Sequence, residues 1–182
     1  YRNADALEEM QREREISRKA FVLGIPTAIP YDVVRVGDKF GTVFELLNAR
    51  SITKLILAEP EKLDEYVAVF VDTLKLIHNT AVQPGQLPAM KTVALDWADF
   101  LKGHLPDSQQ QKLHELISAV PDHDYMLHGD YHSNNVMVQN GEPLLIDMDT
   151  LCVGHPVFEL GSMFNAFVGY SELDHQSMKS FF

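Results

Sequence analysis

The chain has 182 residues, of which 46% are hydrophobic and 23% charged, and this fits one globular domain or one domain with a smaller lobe attached. Its 26 acidic and 15 basic residues give a net charge of −11, which disfavours nucleic acid and anionic membrane surfaces as partners. No run is long and apolar enough to span a bilayer, and the single cysteine, Cys152, favours a reducing, cytoplasmic location.

The first predicted element is a charged helix over residues 3–23, with a sparse apolar stripe at helical spacing. Gly24 is a natural end for this helix. Two β-rich runs follow, YDVVRV at 31–36 and TVFELL at 42–47. The intervening GDKFG has the Gly-Asp chemistry of a turn, so the two runs are predicted to form a hairpin.

The rest of the chain is predicted to be mainly helical, with one late hairpin. Amphipathic patterns predict helices over 60–79, 89–102 and 108–119, and a last helix from about 156 to 168. Between them, the runs NVMVQ and EPLLI flank Asn140–Gly141, the strongest short signal for a β-hairpin.

This order of elements predicts an α+β fold in which strands and helices do not alternate. Two lobes are expected, over residues 1–48 and 49–182. Both chain ends are expected to be truncated, because the sequence starts without Met, directly before a helical pattern, and stops at two phenylalanines.

Polar residues gather at one end of the late hairpin. Asn135 and Asp147 lie almost symmetrically about Asn140–Gly141, so strand pairing brings them to the same end, with Asp130 a few residues away. Amide and carboxylate oxygens suit Mg²⁺, which leaves its other positions to water and phosphate. Asp149 is either a further metal ligand or a loop residue that makes local hydrogen bonds.

The segment HGDYHSNN, followed by ID, resembles the signature of the aminoglycoside phosphotransferase and choline kinase family. That family of small-molecule kinases typically shows H-G-D-x-H-x-x-N and then I-D, which this chain matches over residues 128–135 and 146–147. The layout parallels the H-R-D-x-x-x-x-N and D-F-G motifs of protein kinases. The resemblance implies a protein-kinase-like fold, with a mostly helical C-lobe that carries the hairpin site. A partial N-lobe of one helix and two antiparallel strands would precede it.

The resemblance implies an ATP-dependent phosphotransferase that moves the γ-phosphoryl group to a hydroxyl of an aminoglycoside, an amino alcohol or a sugar-like acceptor. Asp130 would be the catalytic base, because phosphoryl transfer needs a carboxylate that accepts the proton of the attacking hydroxyl. Asn135 and Asp147 would hold Mg²⁺ against the phosphates, with Asp149 as the further candidate ligand. The acidic composition mildly favours a cationic acceptor.

The N-terminal lobe would supply part of the nucleotide site. In the family, a helix glutamate pairs with a strand lysine that holds the phosphates, and Glu15 is the predicted pairing residue, with Glu13 as the alternative. Backbone groups of Glu45 and Leu47 would contact the adenine. No glycine-rich loop is present, and no strand lysine precedes the Glu15 helix, so the isolated chain is expected to bind ATP weakly and to turn over poorly.

Some questions stay open at the level of sequence. Glu159 stands where the family usually has an aspartate that braces the catalytic loop, and whether it performs that task is undecided. His128 is predicted to fix the loop backbone rather than to act as a base. A metal-dependent phosphoesterase is disfavoured, because such sites need more His and Asp ligands than this sequence offers. A non-enzymatic protein with a kinase-like shell is disfavoured by the intact set of Asp130, Asn135 and Asp147.

Overall fold

The chain has a protein-kinase-like fold in a computed structural model that describes residues 7–169. Helix α1 spans Leu7–Val22 and is followed by Gly24, whose φ of +84° is readily adopted by glycine. The helix buries Met10, Ile16 and Ala20, in line with its sparse apolar stripe. Its predicted first residues, 3–6, and both chain ends lie outside the described residues.

A two-stranded antiparallel sheet follows α1. Strands β1, Pro30–Val36, and β2, Lys39–Phe44, pair with Val36 opposite Lys39. The hairpin is confirmed, but the prediction that its second strand begins at residue 42 and includes 45–47 is wrong. Two residues suffice for the turn, since Gly37 adopts a φ of +65°, so β2 starts earlier and ends before Glu45.

The helical part begins after a short strand, β3, Arg50–Ser51. The side chain of Ser51 accepts a hydrogen bond from the Lys54 backbone and so caps the next helix. The subsequent elements are α2 Ile52–Ala58, a 3₁₀ turn Pro60–Lys62, α3 Leu63–His78, α4 Met90–Phe100 and α5 Asp107–Ala119. The three predicted helices of this region are confirmed, with ends shifted by at most a few residues.

The late hairpin lies between two short strands that pair with each other. These four strands are β4 Met126–Leu127, β5 Val136–Gln139, β6 Glu142–Leu145 and β7 Cys152–Val153. Strand β5 pairs with both β6 and β3, and β4 pairs with β7. The turn between β5 and β6 has positive φ at Asn140 and Gly141, which a two-residue type I′ hairpin requires.

The last described helix departs from its prediction at its end. Helix α6 spans Val157–Phe164 and continues as a π-helical turn over Asn165–Gly169. Within residues 7–169 no helix combines the length and the apolar character that crossing a membrane would require.

One buried core joins the N-terminal helix to the late hairpin. Ile16 of α1, Phe70 of α3 and Leu145 of β6 belong to the same buried cluster. The backbone of residues 26–27 is tied to β6, because Leu145 donates to the Pro26 carbonyl and Thr27 donates to the Leu145 carbonyl, each at 2.8 Å. This core places α1, the end of β2 and the hairpin around a common opening. Strand β2 ends at Phe44 and β3 begins at Arg50, so the expected lobe boundary near residue 48 would fall in the connection between them.

Candidate active site

The loop between β4 and β5 is shaped from within by His128, which is fully buried. Its Nε2 donates to the Ile146 carbonyl at 3.0 Å, and its Nδ1 accepts from the Asp130 backbone at 3.4 Å. Burial lowers the pKa of His128, which favours the neutral ring that these two opposite roles require. His128 therefore holds the loop backbone against the hairpin.

Gly129 lies where the loop passes closest to the segment after the hairpin. Its φ is +87°, and a Cβ built on it would lie 2.3 Å from the Thr150 carbonyl oxygen. Thr150 in turn donates its hydroxyl to the His128 carbonyl at 2.9 Å. The close approach explains why glycine is needed at this position, for conformational as well as steric reasons.

Glu159 braces the loop between β4 and β5, which answers the question that its sequence position raised. Its side chain is fully buried; Oε1 accepts from the Gly129 backbone at 2.6 Å, and Oε2 lies 2.7 Å from Nε2 of His78. Helix α6 is thereby tied to the end of α3 and to the loop. Sequence reasoning singled out Glu159 but did not pair it with His78, since no local pattern connects positions 81 residues apart.

Asp130 and Asn135 are in contact. The side-chain amide nitrogen of Asn135 lies 3.0 Å from the backbone carbonyl oxygen of Asp130 and 3.3 Å from the carboxylate Oδ2 of Asp130. His132 Nε2 lies 3.5 Å from the same carboxylate oxygen, and the Asp130 side chain is 49% exposed. Because Nδ2 makes both contacts of Asn135, its Oδ1 is the atom that could bind a cation.

Asp147 lies at the same end of the hairpin as Asn135, as their symmetry about the turn predicts. Val136 pairs with Leu145, and Ile146 donates to the Asn135 carbonyl at 3.1 Å. Asp147 itself has φ +62° and ψ +54°, the left-handed conformation that non-glycine residues rarely adopt and that recurs at functional sites. A residue with a carboxylate and a residue with an amide oxygen thus lie at the same end of the hairpin.

Asp149 is separated from this pair. It lines a cavity with Arg12 and Gly129, whereas Asp147 lines a different one. Within residues 7–169 no group of three or more His, Cys, Asp or Glu side chains is arranged to hold a metal. Asp147 and Asn135 together would form the small protein ligand set that Mg²⁺ commonly uses alongside phosphate oxygens and water, and Asp149 stays a further candidate ligand.

A cavity of about 360 Å³ lies between α1, the end of β2 and the hairpin, within the size range of small-molecule sites. Glu13, Glu45, Leu47 and Asp147 are among its lining residues. Ser17 also lines it, and its buried hydroxyl has no hydrogen-bond partner among residues 7–169. A buried hydroxyl without a partner costs free energy unless a ligand satisfies it, so this cavity suits a polar ligand.

Of the two candidate glutamates on α1, the structure brings Glu13 to this cavity. Its Oε2 accepts from the Thr42 hydroxyl at 3.0 Å, which orients the side chain towards β2. Glu15, the first choice from sequence, lines a separate depression with Arg18 and Lys19 and is largely exposed. The two positions are about 200° apart around a helix at roughly 100° per residue, so they face different surroundings.

Replacing Gly129 with alanine is expected to lower the free energy of unfolding by about 2–4 kcal/mol, because positive φ and the clash with Thr150 both oppose a Cβ. Gly37→Ala is the matched control, since its φ is also positive but a Cβ there meets nothing within 4 Å. That variant should lose about 1–2 kcal/mol. Urea unfolding of both variants measures the difference, and equal losses would contradict the close approach.

Comparisons with known proteins bear on the family and the fold of this chain. A family model described as phosphotransferase enzyme family matches residues 1–176. Among solved structures, a complex of aminoglycoside phosphotransferase APH(4)-Ia with ADP and hygromycin B is similar, with a TM-score of 0.67 and 14% identity over 93% of this chain and 64% of that one. A complex of amicoumacin kinase hAmiN with AMP-PNP, Ca²⁺ and Ami is also similar, with a TM-score of 0.57 and 16% identity over 94% of this chain and 59% of that one.

These similarities cover only part of each solved structure. The chain spans less than two thirds of the length of both proteins. At such low identity, the likeness shows a shared fold. A comparison with curated proteins finds no matching sequence.

Proposed function

Because the chain belongs to the phosphotransferase enzyme family, we propose that it forms the catalytic part of an ATP-dependent kinase that transfers the γ-phosphoryl group to a hydroxyl of a small molecule. One observation carries the proposal: Asp130, Asn135 and Asp147 converge at one end of the hairpin, where Asp147 lines a cavity of about 360 Å³. These are the parts that phosphoryl transfer needs, namely a base and oxygen ligands for a metal.

The nucleotide would occupy the cavity between α1, β2 and the hairpin. The backbone N–H of Glu45 donates to the Ile29 carbonyl at 2.9 Å, so Glu45 would offer its carbonyl oxygen to the adenine, and Leu47 its backbone beside it. The unpartnered hydroxyl of Ser17 supports a polar ligand there. ADP and AMP-PNP are present in the complexes of the similar structures.

The phosphates would lie towards the open end of the hairpin. Asp147 and Oδ1 of Asn135 would hold Mg²⁺ there. Asp147 follows the end of β6 in a left-handed backbone conformation and lines the nucleotide cavity. When bound, Mg²⁺ would neutralise charge that develops on the transferring group. We propose Glu13, in place of Glu15, as the residue that pairs with a phosphate-holding lysine, because Glu13 faces the cavity.

Asp130 would act as the catalytic base. Its Oδ2 is held by Asn135 and His132, so Oδ1 would accept the proton of the acceptor hydroxyl. The half-exposed carboxylate can reach a substrate, while Glu159 and His128 keep the loop backbone in place. A base positioned in this way typically contributes about 10²–10⁴-fold to the rate.

Two further proposals concern the protein as a whole. Residues 1–48 and 49–182 would act as two lobes around the nucleotide, and the isolated chain would turn over poorly. A cytoplasmic location is supported by Cys152, an unpaired and buried thiol. Burial raises its pKa to about 12, so it is an inert thiol rather than a nucleophile.

Calorimetric titration of ATP, with Mg²⁺ and with EDTA instead, tests the nucleotide site. We expect binding that depends on Mg²⁺ and that falls at least about tenfold in Asp147→Asn, since a metal loses its one carboxylate ligand. Asparagine retains the shape and tolerates the left-handed backbone. Asp149→Asn is the matched control and should bind as the wild type does. Unchanged affinity in Asp147→Asn would refute the assignment of the metal ligand.

A further inference from the structure

Two cavities of about 300 and 270 Å³ lie beside the catalytic loop. They share Met90, Trp97 and Gly129 as lining residues, and Gly129 directly precedes Asp130. None of these three residues lines the nucleotide cavity. Both cavities therefore lie beside the backbone that leads into the proposed base, on a side that the nucleotide does not use.

Trp97, on α4, lines both cavities. It is the single tryptophan of the chain, and 63% of its surface is exposed, although the next residue, Ala98, is buried. An exposed indole at the wall of two cavities offers a large, flat and rigid apolar face. Such a face favours a ligand that has a complementary apolar surface.

The charges along these cavities do not suit a polycation. In the first cavity the lining carboxylate is Glu159, whose two oxygens already contact the Gly129 backbone and His78. Ser162 and Asn165 supply neutral hydrogen-bonding groups in the same cavity. In the second, Asp149 is accompanied by Arg12, whose positive charge opposes a cationic ligand.

From these walls we propose that Trp97 determines acceptor specificity, and that the acceptor is an uncharged alcohol with an apolar, ring-bearing face. This face packs on the indole, Ser162 and Asn165 bind its other polar groups, and the reacting hydroxyl reaches Asp130. The inference rests on the proposed function and names the substrate class of that site. It differs from the cationic acceptor that the net charge of −11 favours, because that charge is not concentrated at these cavities.

The emission of Trp97 reports directly on this site, since no other tryptophan contributes. We would titrate the 182-residue chain with phenyl β-glucoside, with methyl β-glucoside, which has the same sugar hydroxyls but no aryl ring, and with the polycation hygromycin B. Phenyl β-glucoside should change the emission saturably at concentrations at least about tenfold lower than the other two. Tighter binding of hygromycin B, or no saturable change with any probe, would overturn the inference.

Calorimetry on variants distinguishes a direct contact between Trp97 and the ligand from an indirect structural effect of the substitution. Trp97→Ala should weaken binding of phenyl β-glucoside at least about tenfold, and Trp97→Phe by only about threefold. Phe100→Ala is the matched control, because Phe100 is 80% exposed on the same helix and lines neither cavity. This variant should bind phenyl β-glucoside as the wild type does. Equal losses in Trp97→Ala and Phe100→Ala would contradict a specific role of Trp97.

Titration of Mg²⁺-ATP in the same samples keeps the two proposals apart. Normal nucleotide binding together with a failure to distinguish the two glucosides would overturn the acceptor class alone. Because the isolated chain is expected to bind ATP weakly, the same titration is repeated with the full-length protein, and absence of metal-dependent nucleotide binding there would count against the proposed function itself.

Discussion

Replacing Asp130 with asparagine is expected to slow phosphoryl transfer by about 10²–10⁴-fold, because the variant cannot accept the proton of the acceptor hydroxyl. Folding should be preserved, since the side chain is 49% exposed and the asparagine oxygen can still accept from Asn135. The measurement is the initial rate of ADP formation by the full-length protein at saturating ATP and acceptor. The midpoint of thermal unfolding is recorded alongside.

Asp122→Asn controls for the loss of one surface carboxylate. Asp122 is 89% exposed and pairs with Lys91, and it lines none of the three cavities next to the proposed site. This variant should retain wild-type activity. A rate in Asp130→Asn within a factor of about two of the wild type would show that another group takes the proton, since the loss of a positioned base costs far more.

Replacing Glu159 with alanine is expected to lower the free energy of unfolding by about 3–5 kcal/mol, the range for breaking a buried charged contact. The Gly129 backbone N–H and His78 would both lose their partner in the interior. The cavity left by the side chain adds to the loss. Urea unfolding gives the magnitude, and nucleotide binding reports whether the loop geometry is lost as well.

Glu159→Gln is the matched variant, because glutamine can still accept from Gly129 and can donate to His78. Glu159→Gln should lower the free energy of unfolding by at most about half as much as Glu159→Ala, since both hydrogen bonds can be retained in neutral form. If glutamine and alanine are equally destabilising, the negative charge rather than the bridging geometry stabilises the loop.

The hairpin and its site were predictable because their signals are local. Asn140–Gly141 specifies a two-residue turn, and the symmetry of Asn135 and Asp147 about this turn follows from strand pairing alone. The observed register, with Val136 opposite Leu145, places both residues at the same end. The helix over 63–78 was predictable for a similar reason, since its apolar residues recur at helical spacing on one buried face.

Other features depend on tertiary structure, so local sequence patterns could not predict them. The choice between Glu13 and Glu15 requires the rotation of α1 relative to the cavity, which packing of Ile16 and Ala20 into the core determines. The contacts of Glu159 with Gly129 and His78 join residues far apart in the chain. The separation of Asp149 from Asp147 follows from the left-handed backbone and the short 3₁₀ turn after it.

The central claim is that this site transfers a phosphoryl group from ATP to an alcohol. Phosphorus NMR tests it directly, in a reaction that contains the full-length protein, ATP, Mg²⁺ and a ring-bearing neutral alcohol. We predict a new phosphomonoester that forms in a one-to-one ratio with ADP and disappears in Asp130→Asn, as transfer with a positioned base requires. Formation of ADP with inorganic phosphate alone, or equal ester formation without Asp130, would contradict the account.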